Sequence, residues 1–116
     1  MSLPVIDRIR VEQTLNAYCR EKDMQRAAVG IKHRFRIRGD SVTLIRTEPG
    51  LPGFPGPVDI PYGQLRYSRS ARRWMLYSSD RNGKWHFYIL SEPALDFKNL
   101  IRDLDEDPIG VFGSRG

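Results

Sequence analysis

Residues 31–38 constrain the fold of this chain more than any other segment. Ile31, His33, Phe35 and Ile37 alternate strictly with Lys32, Arg34, Arg36 and Arg38. Side chains leave a β-strand on opposite faces in turn, so a period of two predicts a half-buried strand with four cations along its wet side. Gly39-Asp40 supplies a tight turn, and residues 42–47 return as a second strand.

The remaining elements follow from the same kind of patterning. Residues 4–21 read as an amphipathic helix, with Ile6, Ile9, Leu15, Tyr18 and Cys19 at roughly helical spacing. Residues 49–57 form a Gly/Pro loop, too short for a collagen-like triple helix, with Leu51 and Phe54 at its tip placed to touch a partner. Strands are predicted over 64–69, 73–79 and 84–90, the last two joined by a hairpin at Asp80-Arg81-Asn82-Gly83. Trp74 and Leu76 share one face of the fourth strand; Trp85, Phe87 and Ile89 share one face of the fifth, and these faces are expected to form the core. Ser91-Glu92-Pro93 predicts the start of a final helix, with Ser91 as N-cap and proline in the first turn. Leu95, Phe97, Leu100, Ile101 and Leu104 give that helix its apolar side, and Asp107-Pro108 ends it. The order helix, five short strands, helix predicts an α+β fold. Its sheet is an antiparallel meander with both helices on one face and the other face partly open, in one domain over residues 1–116.

Composition narrows the class of protein. No apolar run approaches the ~20 residues that a membrane helix needs, no signal-peptide pattern precedes the first helix, and no membrane partner is expected. The lone Cys19 has no intramolecular disulfide partner, which fits a reducing compartment and a cytoplasmic location. The net charge of +5 is unevenly spread. Residues 26–84 carry 12 Lys/Arg against 4 Asp/Glu, a net of +8, whereas residues 92–107 carry 2 against 6, a net of −4. Such asymmetry points either to an acidic partner or to pairing of the basic middle with the acidic last helix.

Four stretches resemble a family of small bacterial proteins known as domain of unknown function 3024. They are Leu15-Asn16-Ala17-Tyr18-Cys19, then Phe35-Arg36-Ile37-Arg38-Gly39-Asp40-Ser41-Val42. The third is Trp74-Met75-Leu76-Tyr77 with Lys84-Trp85-His86-Phe87-Tyr88, and the last is the acidic ending Asp105-Glu106-Asp107-Pro108-Ile109-Gly110-Val111-Phe112-Gly113. The Lys-Trp-His-x-Tyr run is the most specific. The family often carries Cys where this chain has Val111, a departure that counts against any role needing two cysteines. The resemblance implies a fold and a bacterial origin, and it brings no activity with it.

The candidate chemistries are few. One Cys and two His do not supply the four close ligands of a structural zinc site. Asp103, Asp105, Glu106 and Asp107 lack the spacing and glycine of a calcium loop, so no metal is expected. No phosphate-cradling Gly-rich loop or nucleophile elbow is present, and no cofactor or catalytic residue is assigned. His86 is the best acid/base candidate, with Lys84 and Tyr88 beside it on the alternation but no evident carboxylate partner. His33 reads as a hydrogen-bonded core histidine and Cys19 as a small core residue. Lys32, Arg34, Arg36 and Arg38 project from one face at ~6.7 Å intervals. Arg66, Arg73 and Lys84, with the aromatic group Tyr77, His86 and Tyr88, join them if alternation places all of these on the open face. Three readings follow. The first is a non-enzymatic interaction or assembly module, with Tyr77, His86 and Tyr88 in a homodimer or protein-partner contact. The second is binding of single-stranded nucleic acid or another polyanion by the basic, aromatic-bearing face. The third is a small-molecule enzyme centred on His86. Against the second stands a plain alternative, that charges on an edge strand merely keep it from pairing with other chains.

Overall fold

The computed structural model describes residues 3–50, 52–53 and 55–112. Helix α1 (Val5–Gln25) leads through a short 3-10 turn at Ala27–Val29 into strands β1 (Lys32–Arg38), β2 (Ser41–Glu48), β3 (Val58–Ser68), β4 (Arg73–Ser79) and β5 (Trp85–Phe87). Helix α2 (Phe97–Glu106) follows. The five strands form one sheet in chain order, every neighbouring pair antiparallel. The fold is therefore α+β, with the expected meander. Leu51 and Phe54, expected at the tip of the Gly/Pro loop, lie outside the described residues.

Both helices pack on one face of this sheet. Val11 and Leu15 from α1 share a core with Leu100, Ile101 and Leu104 from α2, and with Val42, Leu44, Leu65, Trp74 and Leu76 from the strands. Buried positions on α1 fall at Val11, Leu15, Cys19 and Lys22, one stripe down the helix. Ile6 and Ile9, expected on that stripe, are 57% and 44% exposed, because at 3.6 residues per turn they fall on the other side of the helix from Val11 and Leu15.

Two elements begin elsewhere than their sequence predicts. Strand β3 starts at Val58, six residues before the expected Gln64. Pro61 and Gly63 disguise it, since both residues are poor strand formers. The structure accommodates them with a register shift between Leu44 and Ile45, where Pro61 pairs with Ile45 and Gly63 with Leu44. Helix α2 starts at Phe97, capped by Asp96, whose carboxylate accepts the Lys98 N–H at 3.0 Å. Ser91 is not the cap. It is buried and donates to Asp103 Oδ2 at 3.0 Å, while Ala94 pairs with Trp74 through two backbone hydrogen bonds that prolong the sheet beyond β5.

Close packing against α2 demands a glycine at position 63. A Cβ there would lie 2.5 Å from Leu104 Cδ1, and Leu104 is fully buried on α2. Gly63→Ala should therefore destabilise the protein by about 1–3 kcal/mol, the cost of overpacking a core. Urea unfolding would read this, and an unchanged midpoint would show that α2 has room to move.

His33 is the expected core histidine. Its ring Nδ1 lies 2.9 Å from Asp23 Oδ1, and the same oxygen accepts its backbone N–H at 2.6 Å, tying α1 to β1. Burial holds the imidazole below its ordinary pKa, against the opposing pull of Asp23. The unfolded chain then takes up a proton at higher pH than the folded one. Stability from this group is full above about pH 6.5 and is lost as pH falls below it. The urea midpoint should drop between pH 7 and pH 5, and His33→Gln should flatten that drop. An equal slope in the variant would assign the pH dependence to other groups.

Candidate nucleic-acid interface

The face opposite the helices is built by alternation across the sheet. Core-facing Phe35 and Ile37 leave Arg34, Arg36 and Arg38 on the other side of β1, each exposed. Register carries this outward. Arg36 pairs with Thr43, Thr43 with Gln64, Gln64 with Tyr77, and Tyr77 with Phe87. One row thus crosses all five strands, from a cation at one edge to aromatics at the other, over about 19 Å at ~4.8 Å per strand. The adjacent row runs Arg38, Ser41, Arg66, Met75. Arg73, opposite Ser68, continues the same face, and Trp85, opposite Ser79, lies on it as well.

A chain of side-chain hydrogen bonds orders the centre of this face. Gln64 Nε2 donates to Thr43 Oγ1 at 3.0 Å, and Gln64 Oε1 accepts Arg66 Nε at 2.6 Å. So held, the Arg66 guanidinium sits 3.9 Å from the centre of the Tyr77 ring, which is close stacking for a cation on an aromatic face. Tyr77 in turn meets Phe87 edge-on, with centroids 5.9 Å apart.

The cations differ in how free they are. Arg34 Nη2 donates to Asp59 Oδ2 at 2.8 Å. Asp59 also accepts Thr47 Oγ1 at 2.6 Å, and these two hydrogen bonds, Thr47 first, hold its carboxyl below the usual range. Arg73 turns back to the carbonyls of Ala71 and Arg72. Among the described residues, Lys32, Arg36 and Arg38 have no ion pair or side-chain hydrogen bond. The acidic end of α2 engages groups on the helix side instead: Asp105 pairs with Lys22, Asp103 accepts from Ser91, and Asp107 accepts the Phe112 N–H.

Strand β5 reverses part of the expected face. His86 lies opposite Ser78, which shares the helix side with Trp74 and Leu76; Tyr88 follows two residues on and is buried against Phe112, centroids 4.9 Å apart. Trp85 and Phe87, expected in the core, stand on the open face, and Ile89 is 83% exposed. Lys84 falls in the turn before the strand. Of the predicted site residues, Lys32, Arg34, Arg36, Arg38, Arg66, Arg73 and Tyr77 share one surface; Lys84, His86 and Tyr88 do not. The cause is one residue of loop. Counting the turn as Asp80–Gly83 pairs Ser79 with Lys84, but Ser79 pairs with Trp85, and a one-residue slip flips every side chain. Asp80 sets this longer loop, its Oδ1 accepting the N–H groups of Asn82 and Lys84.

His86 does have a carboxylate partner, Asp80 Oδ2 at 2.7 Å, which holds the Asp80 carboxyl below its usual range. The pair sits on the hairpin with 61% of the histidine side chain in solvent. Among the described residues no nucleophile is hydrogen-bonded to the ring, and Asp80 is spent on closing its own turn. Cys19 is buried and its thiol is pushed up to about 11 by burial, the opposite of a reactive cysteine. Among the described residues no three His, Cys, Asp or Glu side chains gather to hold a metal ion, and no helix is long and apolar enough to cross a membrane.

No curated protein and no solved structure matches the chain significantly. A family model does, over residues 3–114, and so covers the whole of the sheet, both helices and the basic and aromatic rows. The chain belongs to that family, described as Domain of unknown function (DUF3024).

Proposed function

We propose that the open sheet face binds single-stranded nucleic acid, with Arg36, Arg38, Arg66 and Arg73 at backbone phosphates and Tyr77, Phe87 and Trp85 as stacking surfaces for bases. One observation carries this reading: the Arg66 guanidinium, held by Gln64, reaches from its own row over the Tyr77 ring of the neighbouring row, which passes from the free cation Arg36 to the aromatics Tyr77 and Phe87. Cations alone suit any polyanion. Aromatic rings beside them select ligands with π-faces, and base stacking is worth about 1–3 kcal/mol per base. The antiparallel sheet with one face covered by helices gives a flat platform for this, as other sheet-based binders of single strands do.

Fluorescence anisotropy with a labelled single-stranded oligonucleotide at 50 mM salt (a low-salt condition in the counterion-release regime) tests the proposal. Binding should be saturable and should weaken by about 5-fold or more in Tyr77→Ala, the lower limit for a lost stack. Absence of binding at low salt would overturn it. Equal affinity for heparin and for the oligonucleotide would reduce the reading to polyanion binding.

A second reading, an assembly module, is favoured by the contrast between the two sheet edges. Four cations line β1, whereas at the other edge β5 presents Phe87 at 40% exposure and the turn after it presents Ile89 and Leu90 at 83% and 55%. An uncharged edge with exposed apolar side chains is open to pairing. Sedimentation at rising concentration separates the two: self-association that Ile89→Lys abolishes supports assembly through β5, and a monomer throughout removes the homodimer.

A further inference from the structure

We propose that the cleft between the first half of α1 and the start of α2 binds a small heteroaromatic acid carrying one negative charge. The cleft encloses about 360 Å³, within the size range of small-molecule sites. It lies on the helix side of the sheet, remote from the basic row, and its occupancy is independent of nucleic-acid binding.

Its floor is aromatic. Trp74 and Phe97 line it with ring centroids 5.7 Å apart, and both are buried. Arg10, Asp7 and Thr14 from α1 and Lys98 from α2 form the walls. What distinguishes this cleft is that its polar groups are not satisfied by one another. Trp74 lines the cleft at 2% exposure, and among the described residues its indole N–H makes no hydrogen bond. The side chains of Arg10 and Lys98 likewise have no ion pair or hydrogen bond among the described residues. On the same side of the sheet His33 is partnered by Asp23, Ser91 by Asp103, and the Tyr18 hydroxyl by that of Tyr62; the buried Tyr88 hydroxyl has no partner among the described residues, but it does not line this cleft.

The ligand chemistry follows from what is left open. A flat ring suits the Trp74–Phe97 floor. The indole N–H only donates, so the ring should carry an acceptor. Arg10 and Lys98 call for an anion, but Asp7 and Asp96 also line the cleft. The Asp96 carboxylate is occupied by the Lys98 N–H, and the N-terminus of α2 adds about half a positive charge. The balance is weakly positive, which accepts a single carboxylate and opposes a polyphosphate.

Nicotinate has these three features and serves as the probe. In ¹H–¹⁵N spectra of the full chain, Trp74 and Trp85 give two indole resonances, and Trp85→Phe identifies which is which. Nicotinate should move the Trp74 resonance saturably. Nicotinamide, which lacks the charge, and benzoate, which lacks the ring acceptor, should each bind about tenfold more weakly or worse, a loss of one charged or buried hydrogen bond. Arg10→Gln with Lys98→Gln should weaken nicotinate by at least as much; both side chains are exposed, so the remaining spectrum reports an intact fold. A Trp74 resonance that stays fixed up to about 10 mM nicotinate, which sets binding weaker than a millimolar site, overturns the proposal. So does equal binding of the three compounds, or unchanged binding in the double variant.

Discussion

Phe112→Ala should cost about 3–5 kcal/mol of stability, the range for deleting a buried aromatic ring. Phe112 is 1% exposed although it lies six residues beyond the end of α2. The chain turns back at Asp107, which takes a left-handed conformation (φ 41°), and Gly110 at φ 72° bends it again. The Asp107 carboxylate accepts the Phe112 N–H at 3.2 Å, and the Phe112 carbonyl accepts Arg46 Nη1 at 3.1 Å. Both backbone groups are therefore paired, and the ring drops against Tyr88 and beside Gly63. Truncation opens a cavity bounded by α2, β3 and the segment after β5. The melting temperature should fall by roughly 10–20 °C for a chain of this size. Val111→Ala, at a position 40% exposed, should stay within about 0.5 kcal/mol. A loss below about 1 kcal/mol in Phe112→Ala would mean that the tail does not dock, and the Tyr88 environment would need another account.

That docking explains why the acidic ending reads poorly from sequence. Four carboxylates at a helix C-terminus look like a solvated, dipole-opposed cluster. One of them, Asp107, is fully buried and spent on a backbone donor five residues away, and another, Asp105, pairs with Lys22 across the helix interface. Nothing in local patterning reports such a return. Where periodicity was strict, it was sufficient: β1 and β4 lie where alternation puts them, and the face of Lys32, Arg34, Arg36 and Arg38 follows without ambiguity. Strand β5 shows the limit of the same rule. Its composition offers apolar residues at Trp85, Phe87 and Ile89 and at the intervening Tyr88, so pattern alone does not choose a face. The choice is made by the length of the Asp80 loop and by the site that Phe112 and Leu76 leave for Tyr88. The stacking residues Trp85 and Phe87 were thus hidden by their own hydrophobicity.

The charge of the open face sets the second large effect. If Arg36, Arg38, Arg66 and Arg73 each neutralise one phosphate of a single strand, log K should fall with log salt at a slope of about −2.8. Raising salt from 50 to 200 mM would then weaken binding about 50-fold. Arg36→Ala with Arg38→Ala should bring the slope to about −1.4. The structure separates these residues from Arg34, which has the same place in the alternation but a different electrostatic state. Arg34 is already compensated by Asp59, whose carboxyl is held ionised by its hydrogen bonds. Arg34→Ala should therefore change the slope much less than Arg36→Ala does. Asp59→Asn should do the reverse of a charge loss: freeing Arg34 adds a cation to the face, tightening binding and steepening the slope by about 0.7. Strand-edge charges that serve only to prevent aggregation would show none of this ordering, because Arg34 and Arg36 would then be equivalent. A slope that ignores Asp59, or equal effects of the two arginines, would leave the row of cations as a solvated edge and remove the phosphate contacts from the proposed interface.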